Sequence, residues 1–326
     1  MIRVAIANPT EPDGLTRTVI DGAIGLAAAG EIEYRLAAPF DYPLPTKNAV
    51  LDEPSFIRYA RDAHLIIFPY SKRGMQRELV EATSAWKQTI FLDGSEVGKN
   101  RRQDPTVRAA LASGFHRGAG GINEEMLGRC PLYFRRERPY PSGVLPLPFG
   151  IETRYCRFVR PKRPRDIDFF CVFGQEEFPP LRREVRLTLE TFCREHGLRC
   201  VTKKTWTQDG FYRALARSKV GISVSGGGFD SFRFWETLGA GCRLLTETID
   251  IEPPRGTTLD YGRIHEFSDV ASFKAALERM AVFLKDEYAA WDGAAEYERI
   301  ISEHSSVARV QHILTEARKI GLISES

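Results

Sequence analysis

A glycine-rich loop carries the clearest chemical signal in this chain. An apolar run at 220–224 leads into three consecutive glycines, Gly226 to Gly228, and a helical stretch follows. Glycine lets the backbone approach a phosphate closely, and the N–H groups at the start of a helix favour an anion. A strand–loop–helix unit of this kind is typical of a phosphate-binding site.

Two charged side chains on the following helix extend this interpretation. Arg233 and Glu236 are three residues apart, so they share one face of the helix. A guanidinium can hold a diphosphate through two hydrogen bonds, and a carboxylate can accept hydrogen bonds from a ribose diol. The glycine loop, Arg233 and Glu236 together would suit the binding of a nucleotide diphosphate sugar. On spacing alone, an ordinary surface ion pair is the commoner explanation.

The chain as a whole has an ordinary globular composition. Its 326 residues suffice for two domains, 43% of them are hydrophobic, and the formal net charge is only +3. Six cysteines without a C-x-x-C pair indicate a reducing compartment. We therefore expect a cytoplasmic protein, with the inner face of a membrane as an alternative. We expect neither a signal peptide nor a transmembrane segment, since no apolar run approaches about 20 residues.

Short apolar runs alternate with helical stretches along the whole chain. This alternation predicts an α/β protein whose parallel strands are joined by right-handed crossovers. A basic, proline-containing passage at 153–165 is the expected domain boundary, and a long helix is expected over 297–320. Strands are predicted at 3–7, 32–36, 64–69, 89–92, 169–173, 198–203, 220–224 and 242–245.

The glycine-rich segment resembles the donor-binding motif of GT-B glycosyltransferases, most closely the CgeB-like and exostosin-like branches. The tail from Glu303 and His304 to Arg309 is similar to the closing helix of the same group, and the resemblance covers about residue 130 to the end. One departure is that many retaining members carry an acid seven residues before the second glutamate, where this chain has Phe229. The matching motif residues are Asp230, Ser231, Arg233, Glu236, Ala240 and Gly241.

The resemblance implies two Rossmann-like domains whose parallel sheets face each other across a cleft. An acceptor domain would span 1–152 and a donor domain 153–300, and a C-terminal helix at 301–326 would cross back to the first domain. Trp206 would stack on the nucleobase or else fill the core. The implied donor-binding residues are Gly174, Gln175, Arg182, Trp206, Ser225, Gly226, Gly227, Gly228, Asp230, Ser231, Arg233 and Glu236.

Three acids in the first domain are candidates for deprotonating an acceptor hydroxyl. Asp93 and Glu96 follow the fourth predicted strand, and Asp13 lies in the loop after the first. Ligands of open parallel sheets bind beyond the carboxyl ends of the strands, where a carboxylate can act as a general base. The plainer alternative is a turn, because Asp93-Gly94 is a common turn dipeptide.

These features predict a glycosyltransferase that moves a sugar from a nucleotide diphosphate sugar, such as a UDP-sugar, to an acceptor hydroxyl of a glycan, glycolipid or other conjugate. No cofactor and no metal are expected. Asp166 and Asp168 have the D-x-D spelling of a metal motif, but they lead into a strand instead of leaving one. Arg233 and the glycine loop would stabilise the departing diphosphate in place of a metal.

Three alternatives stay open. A glycosyltransferase acting on nucleic acid would use the basic passages at 101–102, 135–136 and 154–165. A non-catalytic protein would bind a nucleotide sugar and turn nothing over. A nucleotide-sugar epimerase on a similar two-domain fold would release nucleotide without any acceptor.

Overall fold

The computed structural model describes residues 1–39, 47–70, 75–96, 121–160, 164–175, 179–204 and 207–324. The chain forms two compact units. Unit 1 comprises Met1–Gly150, Ile251–Thr257 and Ser306–Ser326, and unit 2 comprises Ile151–Asp250 and Thr258–Ser305. The predicted nucleobase contact Trp206 and the basic pair at 101–102 lie outside the described residues.

Unit 1 is built on a six-stranded sheet in which every described strand pair is parallel. Its strand order is β2-β1-β3-β4-β5-β6. The central strands are continuous apolar runs because helices cover both faces of the sheet. The strands are β1 (Ile2–Ile6), β2 (Ile32–Leu36), β3 (Leu65–Tyr70), β4 (Thr89–Asp93), β5 (Leu132–Arg135) and β6 (Val144–Pro146).

Three helices of unit 1 begin at side chains that cap them, namely Asp13, Asp52 and Asn123. Asp13 caps the first of them, and its carboxylate accepts a hydrogen bond from the Thr16 N–H at 2.9 Å. That helix packs against the last helix of the chain at Gly22, where a Cβ would lie 2.1 Å from the Ser306 carbonyl oxygen. The helices are α1 (Gly14–Ala28), α2 (Glu53–Asp62), α3 (Arg77–Thr83), α4 (Glu124–Arg129) and, near the C-terminus, α11 (Ser306–Lys319).

Unit 2 has a five-stranded sheet, also parallel, in the order β11-β10-β9-β7-β8. Successive side chains of β7 point to opposite faces, so Phe169 and Phe170 enter separate apolar clusters on the two sides of the sheet. The strands are β7 (Ile167–Phe170), β8 (Cys200–Val201), β9 (Ser218–Ser223), β10 (Arg243–Glu247) and β11 (Ile264–Phe267).

Helices cover both faces of this second sheet. Val185 and Leu189 of one helix and Leu277 of another pack on the same face as Phe169. A π-helical turn, Phe283–Glu287, extends the second of these helices. The helices of unit 2 are α5 (Thr153–Cys156), α6 (Leu181–His196), α7 (Gln208–Ala216), α8 (Phe232–Gly239), α9 (Val270–Val282) and α10 (Ala294–His304).

The long helix expected over 297–320 is two helices, so that prediction is wrong in one respect. Helix α10 ends at His304, and α11 begins at Ser306. Ser305 between them is extended and forms a parallel bridge with Ile151, whose N–H donates to the His304 carbonyl at 2.8 Å. A strand-like contact formed far along the chain therefore interrupts the helical pattern. No helix in the described part of the chain has the length and apolar character needed to cross a lipid bilayer.

Candidate functional site

The strand order of the second sheet places a topological switch point between β7 and β9. These strands are adjacent and parallel, with Phe169 opposite Val220. Strand β8 lies on the far side of β7, whereas β10 and β11 lie beyond β9. The connections therefore leave in opposite directions and open a crevice at the carboxyl ends of the two strands, the usual place for a ligand in such a sheet. Loops 171–175 and 224–231 begin there.

Helix α8 lies close to strand β9 because Gly221 has no side chain. A Cβ at Gly221 would lie 2.5 Å from Cγ2 of Thr237. In the loop between strand and helix, the Gly226 N–H donates to the Gly228 carbonyl at 3.1 Å. Ser231 precedes α8 and makes no side-chain capping bond to its first turn. The positive end of the helix dipole therefore lies at the glycine loop.

Arg182 joins the two loops of the crevice. From the first turn of α6 it donates to the Gln175 carbonyl at 3.1 Å and to the Val224 carbonyl at 3.2 Å. A Cβ on Gly226 would lie 3.0 Å from its Nη2. Its buried Nε has no hydrogen-bond partner among the residues described here. Burial, and then the positive charge of Arg233, lower the pKa of Arg182.

Arg233 and Glu236 form an ion pair inside unit 2. Their side chains are only 13% and 11% exposed, so this is no ordinary surface pair. Arg233 also donates to the Val172 carbonyl at 2.9 Å, and its guanidinium lies 4.3 Å from the ring centre of Phe211. The Tyr212 hydroxyl donates to the other carboxylate oxygen of Glu236 at 2.9 Å. Each carboxylate oxygen has further lone pairs with which to accept a ligand hydroxyl.

Asp230 and Ser231 fasten the loop to its surroundings. The buried Asp230 carboxylate accepts a hydrogen bond from Nε1 of Trp235 at 2.7 Å, and the indole is itself fully buried. The Ser231 hydroxyl lies 3.2 Å from that of Ser223 at the end of β9. These contacts hold the entrance of α8 in place, and contact of the two residues with a donor stays a prediction.

Glu247 was missed by the sequence reasoning. It ends β10, is buried, and accepts a hydrogen bond from the Ser225 N–H at 3.0 Å. The buried hydroxyl of Ser225 has no hydrogen-bond partner in the described part of the chain. An acid at the carboxyl end of the strand next to β9 is the signal that would have identified it.

The segment after β8 brings a further cation to the loop after β7. Lys204 Nζ donates to the Gly174 carbonyl at 2.6 Å, and Gln175 supplies the carbonyl bound by Arg182. A Cβ on Gly174 would meet nothing within 4 Å, so packing does not explain this glycine. The predicted donor residues on the two loops and the adjoining helices are Gly174, Gln175, Arg182, Ser225, Gly226, Gly227, Gly228, Asp230, Ser231, Arg233 and Glu236.

Among the three acids of unit 1, Asp93 is held by neighbours at the end of β4. One carboxylate oxygen accepts from the Tyr133 hydroxyl at 2.6 Å and from Arg135, and the other accepts from the Ser95 N–H at 2.9 Å. Asp93 and Arg135 are 1% and 0% exposed. The residue is therefore half of a buried, hydrogen-bonded ion pair that joins the ends of β4 and β5.

Asp13 differs from Asp93 in having one oxygen unused. Oδ1 accepts from the N–H and hydroxyl of Thr16 at 2.9 and 2.6 Å. Oδ2 is buried without a partner among the described residues and lies where a side chain on Gly94 would be, 1.6 Å from an ideal Cβ. Burial raises the pKa of Asp13, Asp93 adds to this, and the bonds to Thr16 and the charge of Arg136 oppose it. A carboxyl with a raised pKa suits a general base.

Glu96 shares a guanidinium with another acid. Arg136 donates to Glu96 and to the buried Glu137, each at 3.1 Å, and its guanidinium lies 4.2 Å from the ring centre of Phe149. Arg136 is only 4% exposed and Arg135 is fully buried. The 135–136 passage therefore presents no basic surface, and the nucleic-acid alternative loses one of its three expected contacts.

The two carboxylates of the D-x-D segment at 166–168 form ion pairs with basic side chains. Asp166 pairs with Arg199 at 2.8 Å and with Arg217, and Asp168 pairs with Lys219 at 2.6 Å. The pKa of Asp166 is lowered to about 2, and the hydrogen bond from Arg217 is the largest cause. In the described ranges, no group of three or more His, Cys, Asp or Glu side chains is arranged to hold a metal ion.

Comparison with solved structures identifies the fold. No protein-family model matches the chain, and no curated protein matches it. An α-glucosyltransferase in complex with UDP and a 13-mer DNA has a TM-score of 0.60 at 12% identity, over 97% of this chain and 98% of that one. The same kind of enzyme in complex with UDP gives 0.59 at 11% identity, over 97% and 98%. A glycosyltransferase from Rickettsia africae gives 0.59 at 8% identity, over 98% of both chains.

The likeness at these identities shows the fold class. The chain is an α/β protein with two parallel sheets surrounded by helices, matching GT-B glycosyltransferases, as the sequence predicts. The enzymes in these comparisons transfer sugars, and two of the structures contain UDP. Membership of the CgeB-like or exostosin-like branch stays a hypothesis.

Proposed function

We propose that this protein is a glycosyltransferase that uses a nucleotide diphosphate sugar, most simply a UDP-sugar, and no metal. The arrangement of Arg182 and Arg233 at the β7–β9 crevice carries the proposal. Arg182 bonds to the loops of both strands, and Arg233 bonds to the Val172 carbonyl beside them. Two guanidiniums beside a glycine loop and a helix amino end make a suitable place for a diphosphate.

The electrostatics of Arg182 support an anionic ligand. Its pKa is lowered by burial and by Arg233, which means that the two cations repel each other in a partly desolvated place. A diphosphate between them would remove that repulsion. During transfer, the same charges would stabilise the diphosphate as it leaves with the electron pair of the broken bond.

Glu236 is the candidate ribose contact. Tyr212 and Arg233 each bond one oxygen of its carboxylate and fix the direction of the remaining lone pairs. A vicinal diol could then donate to both oxygens. The backbone beside the unpaired Ser225 hydroxyl is fixed by Glu247, so that hydroxyl is a further candidate contact to the donor.

Asp13 is the candidate general base of unit 1. Its Oδ2 would take the proton from an acceptor hydroxyl as the hydroxyl oxygen forms its bond to the anomeric carbon and the bond to the diphosphate breaks. Asp93 and Glu96 are less suited, because Arg135 and Arg136 already engage their carboxylates. The acceptor would be a glycan, glycolipid or other hydroxylated molecule. A nucleic acid is less favoured, since the 135–136 arginines are buried in ion pairs.

The first experiment is a thermal-shift panel of UDP, GDP, ADP and their common sugar conjugates in EDTA. A ligand that binds the folded state raises the melting temperature by mass action. At a ligand concentration of a hundred times Kd, the free energy of unfolding rises by about 2.7 kcal/mol. We expect one nucleotide family to stabilise the wild type and to lose this effect in Arg182→Ala. Arg182 is the better target because Arg233→Ala would leave Glu236 partly unpaired inside the protein.

Arg183→Ala is the matched control. Arg183 is the next residue of α6 and is exposed, and its substitution by alanine removes the same charge as Arg182→Ala. Stabilisation of Arg183→Ala but not Arg182→Ala supports the donor site. Equal stabilisation of both variants, or none of the wild type, would contradict it. Turnover of the identified nucleotide sugar then separates the enzymes from a binding protein: a transferase needs an acceptor, and an epimerase releases nucleotide alone.

A further inference from the structure

A surface depression lies in unit 2 at the opposite end of the sheet from the glycine loop. It has a volume of about 200 Å³ and is lined by Phe158, Arg160, Arg213, Ala216 and Arg217. Arg213 and Ala216 belong to α7, which leads into the first residue of β9. The glycine loop follows the last residue of that strand, so the two places are separated by its length. We call these five residues the arginine depression.

Two of its three arginines have no carboxylate partner in the described part of the chain. Arg160 donates only to the backbone carbonyls of Arg157 and Val159, at 3.2 and 2.9 Å. Arg213 lies over the ring of Phe158, with 4.2 Å from its guanidinium carbon to the ring centre. Both arginines are exposed.

The third arginine is partly engaged. Arg217 pairs with Asp166, which Arg199 also contacts. One carboxylate thus serves two cations at the edge of the depression. The local charge stays positive, because neither Arg160 nor Arg213 is neutralised by a described acid.

The other described arginines of the basic passage at 153–165 are committed elsewhere. Arg154 pairs with the buried Glu152 at 2.6 Å, and Arg157 pairs with Asp209 at 3.2 Å. Arg165 donates to the carbonyls of Ser218 and Ala240. The fold therefore retains Arg160 from this passage for an outside partner and brings Arg213 and Arg217 to it from the end of α7.

We propose that the arginine depression binds the phosphoryl group of an anionic ligand, either a small phosphate ester or the headgroup of an anionic lipid. Guanidinium forks match phosphoryl oxygens in pairs. A volume of about 200 Å³ is below the range of about 300–1,000 Å³ typical of drug-sized ligands, so the pocket suits a headgroup and not a whole nucleotide sugar. The inference does not depend on the proposed function.

The test follows the Ala216 amide and the arginine Nε–H resonances by NMR while inorganic phosphate is added to the full chain. The variant is Arg160→Gln/Arg213→Gln. The control is Arg194→Gln/Arg279→Gln, which removes the same charge from two exposed arginines at the ends of α6 and α9. We expect saturable shifts in the wild type and control, and at least tenfold weaker binding in the variant.

A second arm identifies the source of the phosphoryl group. Sedimentation with phosphatidylglycerol vesicles, compared with phosphatidylcholine vesicles, is measured for the same three proteins. Vesicle binding that the variant loses and the control keeps supports a lipid headgroup, whereas phosphate binding without vesicle binding supports a small ester. If the variant equals the control in both arms, or the wild type binds neither probe, the inference is overturned.

Discussion

The Tyr212 hydroxyl donates a hydrogen bond to Oε1 of Glu236 at 2.9 Å, while Arg233 bonds Oε2 of the same carboxylate. Glu236 is thereby held from α7 and from its own helix, α8. Tyr212 is buried, and burial, together with the nearby charge of Glu236, raises its pKa far above the usual range. The phenol consequently stays protonated and stays a donor at any working pH.

Removing that donor should be costly. In Tyr212→Phe, Oε1 of Glu236 loses its partner inside the protein, and we expect the free energy of unfolding to fall by about 1–3 kcal/mol. Urea denaturation measures this. Tyr288→Phe is the control, since no hydrogen bond of the Tyr288 hydroxyl is present among the described residues, and its change should stay within about 0.5 kcal/mol. Equal losses in the two variants would refute a role for the Tyr212 bond.

Asp13→Asn should separate catalysis from folding. Asparagine is as good a helix cap as aspartate, so the bond to the Thr16 N–H and the start of α1 should persist. Loss of a general base lowers kcat by about 10²–10⁴-fold. Steady-state kinetics with the identified donor measures this, and kcat within threefold of the wild type would exclude Asp13 as the base.

The same substitution has a predicted pH signature in stability. The folded-state pKa of Asp13 is raised above the ordinary 3.8, so ionisation is harder in the folded than in the unfolded protein. The contribution of Asp13 to stability therefore falls as pH rises from about 3.8 through its folded pKa, and Asp13→Asn lacks this term. Unfolding measured from pH 4 to 8 should show the variant gaining relative to the wild type. A constant difference would mean that the pKa is not raised.

Asp93→Asn should act chiefly on stability. It removes the charge that compensates the fully buried Arg135, and breaking a buried pair costs about 3–5 kcal/mol. Chemical denaturation measures the loss. If stability were unchanged while kcat collapsed, Asp93 and not Asp13 would be the base.

Gly94→Ala tests the close approach of Asp13. The new methyl group would lie 1.6 Å from Oδ2 of Asp13, so either the loop or the carboxylate must move. We expect a loss of about 1–3 kcal/mol. Gly128→Ala is the matched control: nothing lies within 4 Å of its Cβ, it is inside helix α4, and alanine there should stabilise by about 0.5–1 kcal/mol. Equal behaviour of the two alanines would contradict the contact.

Much of the fold was predictable because its signals are local. The apolar runs at 32–36 and 89–92 are strands β2 and β4, and the run at 220–224 begins within β9. The glycines at 226–228 form the loop before α8. Three glycines in a row predict such a loop, because a residue without a Cβ lets the backbone turn and approach a ligand closely. Alternation of strands and helices was enough to predict an α/β protein with parallel strands, and the resemblance implied their division into two sheets.

The roles of individual side chains were not local. Asp93 meets Arg135 from 42 residues away, and Tyr212 meets Glu236 from 24 residues away. Ser305 leaves its helix to pair with Ile151, which nothing in the helical pattern announces. Nor does the sequence indicate that Arg160 and Arg213 line one depression.

The sequence by itself determined the element types, the α/β class and the position of the glycine loop, because hydrophobic period and turn chemistry act between near neighbours. Only the tertiary structure decided which charges are paired, which are buried and which remain for a ligand. Pairing and desolvation depend on groups that the folded chain brings together across the sheet. For this reason Asp13 keeps one carboxylate oxygen without a partner among the described residues, whereas the carboxylate of Asp93 is held in an ion pair with Arg135.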